Sequence, residues 1–218
     1  MRRKAALKAV PVSVERLAGR LAKVGIFTDF YLADGTGLAL LLSHRRSVDL
    51  DFFSRTNRLR FQERRRLLSL LKSFSDWKLT EAQDGTVHGR VGTVRLSFFW
   101  YAEPLVRPVN RKGPIRIASL EDIGLMKLAA IIGRGSRKDF LDLYEICRIV
   151  PLSKLFRMAR RKFKAGRNFT LQALKALCFF EDAQREPPVM MVIPVSWEQV
   201  KSFFIRQAQS LLQQDLRG

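Results

Sequence analysis

Acidic residues are in short supply. The 218-residue chain carries twenty Asp and Glu against forty Lys and Arg, a net charge of +20 with a pI near 11.0. Cysteine and histidine are rarer still, at two each. No Cys/His cluster has the spacing of a zinc site. Cys147 and Cys178 both fall in apolar-patterned helical segments and are expected to be buried, reduced thiols. No apolar run, Leu38 to Leu42 included, approaches the ~20 residues that a spanning helix needs. The basic start Met1-Arg-Arg-Lys is not followed by a long apolar region, since Lys8, Glu15, Arg16 and Arg20 interrupt it. A soluble, cytoplasmic protein with no membrane partner is expected. Internal repeats and low-complexity tracts are also lacking.

What is present is enough apolar sequence for a core, at 47% of residues, on a chain long enough for one large or two small domains. The charge excess implies an anionic partner. Nucleic acid leads, ahead of an acidic protein or an anionic membrane surface. Charge alone implies no base specificity, because phosphate contacts position a protein without reading sequence.

The densest signal lies between Phe30 and Phe53. It reads as a strand, a turn with Gly35 and Gly37, a short helix, and a second strand carrying Asp49 and Asp51. Alternation along a strand puts Asp49 and Asp51 on one face, with Val48, Leu50 and Phe52 on the other, where they can bury. Two adjacent carboxylates suit Mg²⁺, which is usually held by one or two carboxylates plus substrate phosphates. The N–H groups of a Gly-rich turn entering a helix suit the phosphates themselves.

Around this segment the pattern predicts a helix over 14–24 capped by Ser13, a strand over 27–32 and a short helix over 37–42. A strand over 48–53 and a basic helix over 61–74 follow, the latter with Phe61, Leu67, Leu71 and Phe74 inward and Arg64, Arg65 and Arg66 outward. Strands are expected over 77–82, 86–91 and 93–100, with turns at Gly85 and Gly92. From Ser119 the pattern becomes helical. Ser119 with Asp122, Ser136 with Asp139 and Ser196 with Gln199 mark helix starts. Further helices are expected over 152–164 and 169–181, and Pro187-Pro188 marks a linker. The basic helices at 61–74 and 154–164 are the expected nucleic-acid surface, with Phe163, Phe169 and Trp77 filling the core. The fold class is α/β (α+β), with an N-terminal domain over 1–118 and a helical C-terminal domain over 119–218.

The segments Leu32-Ala-Asp-Gly-Thr-Gly-Leu-Ala-Leu and His44-Arg-Arg-Ser-Val-Asp-Leu-Asp-Phe-Phe, with Lys127, Arg134, Lys138-Asp139 and Asp142, resemble the AbiEii/AbiGii-type nucleotidyltransferases of the polymerase-β-like fold. The resemblance covers residues 27–146. It implies a mixed sheet flanked by helices, and transfer of a nucleotidyl group from an NTP to an acceptor hydroxyl. By that resemblance Asp49 and Asp51 hold Mg²⁺, Gly35 and Thr36 contact phosphate, and Arg46 reaches the triphosphate. Lys127 and Asp139 are implied as catalytic, and Arg134 and Lys138 as nucleotide-binding. His44 is a lesser candidate for orienting phosphate; His88 reads as packing or surface. The implied partners are an NTP, tRNA or other RNA, and an antitoxin protein, because members often act as toxins in toxin–antitoxin or phage-defence systems.

Two positions depart from the family pattern. Asp34 stands where the family usually has Gly, and so sets a negative charge beside the expected triphosphate. On the strand Thr93–Phe99, Arg95, Ser97 and Phe99 share a face, and Ser97 stands about where many relatives carry a third carboxylate. These departures favour a second reading, a catalytically inactive protein that keeps the fold and binds RNA or a partner. A third, transfer to small molecules such as aminoglycosides, fits poorly because such substrates are cationic.

Overall fold

The computed structural model describes residues 8–163 and 166–215, in two compact units. One holds the chain up to Pro104 together with Pro108–Ser119; the other holds Leu105–Arg107 and the chain from Leu120 onward.

The first unit contains α1 (Val12–Lys23), α2 (Ile26–Asp29), β1 (Tyr31–Leu32), α3 (Asp34–Leu42), β2 (Leu50–Ser54), α4 (Phe61–Leu71), β3 (Trp77–Gln83), β4 (Thr86–Val91), β5 (Val94–Trp100), β6 (Asn110–Lys112) and β7 (Ile115–Ile117). The strands form one mixed seven-stranded sheet in the order β3-β4-β5-β2-β1-β7-β6. The pairs β1/β7 and β2/β5 are parallel, and the others are antiparallel. The fold is α/β, as the sequence suggests.

Glycine sets the tight turns. Gly85 and Gly92 adopt φ of +83° and +57°, which L side chains rarely adopt, and they close the β3–β4 and β4–β5 hairpins. One face of the sheet is the core. There Phe52 stacks on Phe98 with centroids 4.7 Å apart, Phe27 meets Phe52 edge-on at 5.6 Å, and Phe30 meets Phe98 at 5.3 Å.

Several expectations need correction. The stretch 27–32 is not one strand. Gly25, at φ +86°, accepts the Thr28 N–H through its carbonyl and opens the helical turn α2, leaving only Tyr31 and Leu32 extended. A short run of apolar residues cannot by itself distinguish the two conformations. Helix α1 begins before Ser13, because the Pro11 carbonyl accepts the Val14 and Glu15 N–H groups. Val48 precedes β2 and is 40% exposed. Phe61 is 66% exposed, whereas Leu67, Leu71 and Phe74 are buried. The last three recur at i, i+4 and i+7, and Phe61 lies off that stripe.

The second unit is helical: α5 (Leu120–Gly133), α6 (Arg137–Cys147), α7 (Leu152–Lys162), α8 (Gly166–Ala176), α9 (Glu181–Arg185) and α10 (Trp197–Asp215). The predicted cap of α10 forms in both directions: Gln199 N–H donates to Ser196 Oγ (3.1 Å) and Ser196 N–H donates to Gln199 Oε1 (2.9 Å). Phe140 packs against Phe180, Trp197 and Phe204. Phe163 stacks on Phe169 at 4.1 Å, both in the core.

The basic run on α7 is only partly a surface. Arg157, Arg160 and Arg161 are exposed, but Lys162 is buried, and its Nζ donates to Asp122 Oδ1 at 2.9 Å. The same carboxylate accepts the N–H groups of Val106 (2.9 Å) and Arg107 (3.1 Å). A buried ammonium needs such a partner, because desolvation of a lone charge is prohibitive. The predicted extension of this helix to residue 164 ends outside the described residues. Cys147 is half-buried and burial pushes its thiol up to about 12, whereas Cys178 follows α8 and is exposed. Among the described residues no helix is long and apolar enough to cross a membrane.

Candidate active-site residues

In the first unit the site is built on the sheet face opposite the core. Strand β2 runs parallel to β5 in a register that sets Asp51 opposite Ser97. Alternation then places Asp49, Asp51 and Phe53 on one face, together with Arg95, Ser97 and Phe99 of β5. Asp49 precedes the first residue of β2 but keeps to this face. Its carboxylate accepts Arg95 Nε at 3.1 Å and Arg95 Nη2 at 2.7 Å, a bidentate pair. The hydrogen bond and charge of Asp49, with the more distant Asp51, hold the Arg95 guanidinium above its ordinary value.

The turn before α3 packs against the segment leading to β2. Asp34 adopts φ +54°, so the aspartate takes the left-handed conformation that a glycine would otherwise supply. Gly35 is buried, and a Cβ on it would overlap Arg45 Nη2. Thr36 is 1% exposed, and its Oγ1 donates to Ser47 Oγ at 2.8 Å. Its hydroxyl therefore ties α3 to the strand approach. His44 is fully buried.

Arg46, the expected triphosphate ligand, is exposed, and its neighbour Arg45 is the one held against Gly35. Arg45 is 6% exposed, and its Nη1 donates to the Arg46 carbonyl at 3.1 Å. Sequence reasoning overlooked it. The signal was the period-two series Arg45, Ser47, Asp49, Asp51, which continues the alternation of the strand backwards.

The second unit gathers Lys127, Arg134 and Asp139 into one cluster around a buried core. Lys127 of α5 is 1% exposed, and its Nζ lies 2.9 Å from Asp139 Oδ1 and 2.8 Å from Asp142 Oδ2 on α6. Arg134 embraces Asp139 with Nε (2.8 Å) and Nη2 (3.0 Å), while about half of its own side chain stays exposed. Ser136 precedes α6 and donates its Oγ to Asp139 Oδ2 at 2.7 Å. Burial would raise the Asp139 carboxyl, but the Lys127 ammonium and the Arg134 guanidinium outweigh it and hold it well below the usual carboxylate range. Lys138 is exposed on α6 and stands apart from this cluster.

A divalent cation is the group that nucleotidyltransferases generally use. Among the described residues no three or more His, Cys, Asp or Glu side chains are grouped to hold one. The Asp49–Asp51 face fits a cation shared with a nucleotide, because two carboxylates supply part of an oxygen shell and phosphates complete it. Arg95 already occupies Asp49 as a cation would.

Comparisons with known proteins show the family and the fold. The profile described as nucleotidyl transferase AbiEii toxin, type IV TA system, matches residues 16–217. An uncharacterized protein of Aquifex aeolicus (strain VF5), aq_aa25, is 35% identical over 200 residues, covering 89% of this chain and 93% of that one. A crystal structure from H. pylori assigned to the nucleotidyltransferases shares the fold, with a TM-score of 0.54 at 19% identity over 93% of this chain and 95% of the other. So does ANT(2″)-Ia in complex with adenylyl-2″-tobramycin, with a TM-score of 0.53 at 16% identity over 72% of this chain and 98% of the other. With the family profile spanning nearly its whole length, the chain belongs to the AbiEii nucleotidyl transferase toxin family.

Proposed function

We propose that this nucleotidyltransferase carries a nucleotidyl group from Mg-NTP to a hydroxyl of RNA, with tRNA the leading acceptor, and that it acts as the toxin of a type IV pair with a partner antitoxin. The observation that carries the reading is the Asp49–Asp51 face beside the α3 turn, on a chain of net charge +20. Asp49 and Asp51 hold the metal. Bound Mg²⁺ supplies charge neutralisation and lowers the pKa of a coordinated hydroxyl. The N–H groups of Gly35 and Thr36 at the start of α3 receive phosphate oxygens, where the helix dipole favours negative charge. Arg45, fixed against Gly35, adds a buried guanidinium next to that turn. In the second unit Lys127, Asp139 and Arg134 are proposed site residues, with Lys138 as an exposed phosphate contact. The exposed arginines of α4 and α7 supply the RNA surface.

One observation favours a second reading. Arg95 holds Asp49 in a bidentate pair, so a chain that had lost metal binding would keep this face neutralised and retain only RNA or partner binding. Label transfer separates the two. The protein is incubated with Mg²⁺, total tRNA and each α-³²P-labelled NTP in turn, beside an Asp49→Ala/Asp51→Ala control. Label on RNA from the wild type alone supports transfer and names the nucleotide. A folded protein that binds RNA and transfers no label supports the binding-only reading.

A further inference from the structure

We propose that His88 accepts the proton of the attacking hydroxyl, an inference that rests on the Asp49–Asp51 face being the nucleotide site. Ser97 of β5 is opposite Asp51 on one side and opposite His88 of β4 on the other. Residues in direct register share a sheet face, so Asp51, Ser97 and His88 form a row across three strands. The ring contacts agree: His88 meets Phe99 edge-on at 5.4 Å, and Phe99 stacks on Phe53 of β2 at 5.2 Å. Both phenylalanines lie on the Asp51 side of the sheet, so the imidazole does too.

The spacing suits the chemistry. Two strand intervals separate the Asp51 and His88 backbones by about 10 Å. Asp49 and Asp51 would hold the metal, which would supply a lowered pKa at the acceptor hydroxyl. Ser97, with its short side chain, stands between Asp51 and His88 in the register. Few other groups in this neighbourhood could take the proton at neutral pH. Arg95 of β5 and Arg90 of β4 are cations, and Arg90 Nη1 donates to the Gly92 carbonyl at 2.8 Å. Asp51 of β2 and the preceding Asp49 would hold the metal, and Asp49 is paired with Arg95. From β3, Lys78 faces Arg90, and Glu81 is the residue in register with His88 on its outer side. Glu81 is exposed and stands one strand further from Asp51.

In the step, the acceptor O–H proton passes to a ring nitrogen of His88 as the oxygen forms its bond to the α-phosphorus. The bond from that phosphorus to the bridging oxygen breaks, and pyrophosphate leaves with the electron pair. The imidazolium then loses its proton to solvent.

The test measures label transfer from an α-³²P-NTP to total tRNA across pH, for wild type, His88→Gln and His88→Ala. Nucleotide affinity and circular dichroism are recorded for each. The expected result is a fall in kcat of about 10²–10⁴-fold in His88→Gln with KM for NTP nearly unchanged. The acid limb of the wild-type profile disappears in the variant, and added imidazole restores part of the His88→Ala rate. A purely structural role would give neither the altered pH profile nor the rescue. A folded His88→Gln enzyme with wild-type kcat and an intact acid limb overturns the inference and leaves nucleotidyl transfer standing. A wild-type protein that transfers no label from any NTP overturns both.

Discussion

Removing the Lys127 ammonium would expose how the second unit tolerates buried carboxylates. In Lys127→Met the side chain keeps its length and loses its charge. Lys127 and Arg134 at present balance Asp139 and Asp142, with Lys127 Nζ at 2.9 and 2.8 Å from the two carboxylates. All of these groups except Arg134 are essentially inaccessible to water. Breaking a buried pair by deleting one partner costs about 3–5 kcal/mol, because the remaining charge stays desolvated. For a chain of this size each kcal/mol lowers Tm by about 2–4 °C, so the shift is about 6–20 °C.

The pH dependence gives a second reading of the same cluster. Asp139 is held below its unfolded value, so its contribution to stability is present above the ordinary carboxylate range near about pH 4 and is lost as acid protonates it. In Lys127→Met that depression is reduced, so the gap between variant and wild type narrows toward low pH. Adding Asp139→Asn to Lys127→Met should recover part of the loss, since the two residues act as a coupled pair. The assay is thermal unfolding followed by circular dichroism between neutral and acid pH. A Lys127→Met protein melting within about 2 °C of wild type, with a parallel pH profile, would refute the buried-cluster reasoning.

Three further outcomes follow from the geometry. Gly35→Ala pushes a methyl group into Arg45 Nη2, so NTP affinity should fall by at least about tenfold, read by isothermal titration; unchanged affinity would remove that turn from the site. Arg95→Ala frees Asp49 from an exposed pair worth about 0.2–1 kcal/mol, so Mn²⁺ binding without nucleotide should tighten by about 1.5- to 5-fold, read by electron paramagnetic resonance. RNA affinity should fall steeply with salt, with a log–log slope reduced by about 1 for each phosphate-contacting arginine removed from the exposed set Arg157, Arg160 and Arg161; a salt-independent affinity would exclude that surface.

Local signals make much of the fold legible in the sequence. Gly85 and Gly92 announced the hairpins because only a left-handed backbone closes them tightly. Ser196 and Gln199 announced α10 because their reciprocal cap is encoded within four residues. The short strands β6 and β7 went unnoticed, since three-residue strands carry too little alternation to stand out. Buried charge was harder to foresee. Lys162 reads as one more cation in a basic run, and only the packing of α5 against α7 sets Asp122 beside it. The shared face of Asp49 and Asp51 could be read from the period of two. The hold of Arg95 on Asp49 could not, because it depends on the register between β2 and β5, some 46 residues apart in sequence.

The assignment of Asp49 and Asp51 as the metal–nucleotide ligands is tested most directly by isothermal titration of Mg²⁺ with a non-hydrolysable NTP into wild type and the folded Asp49→Ala/Asp51→Ala variant. Binding to the wild type that is lost in the variant, and lost from the wild type when Mg²⁺ is withheld, is the predicted result. Equal binding by both proteins would contradict it.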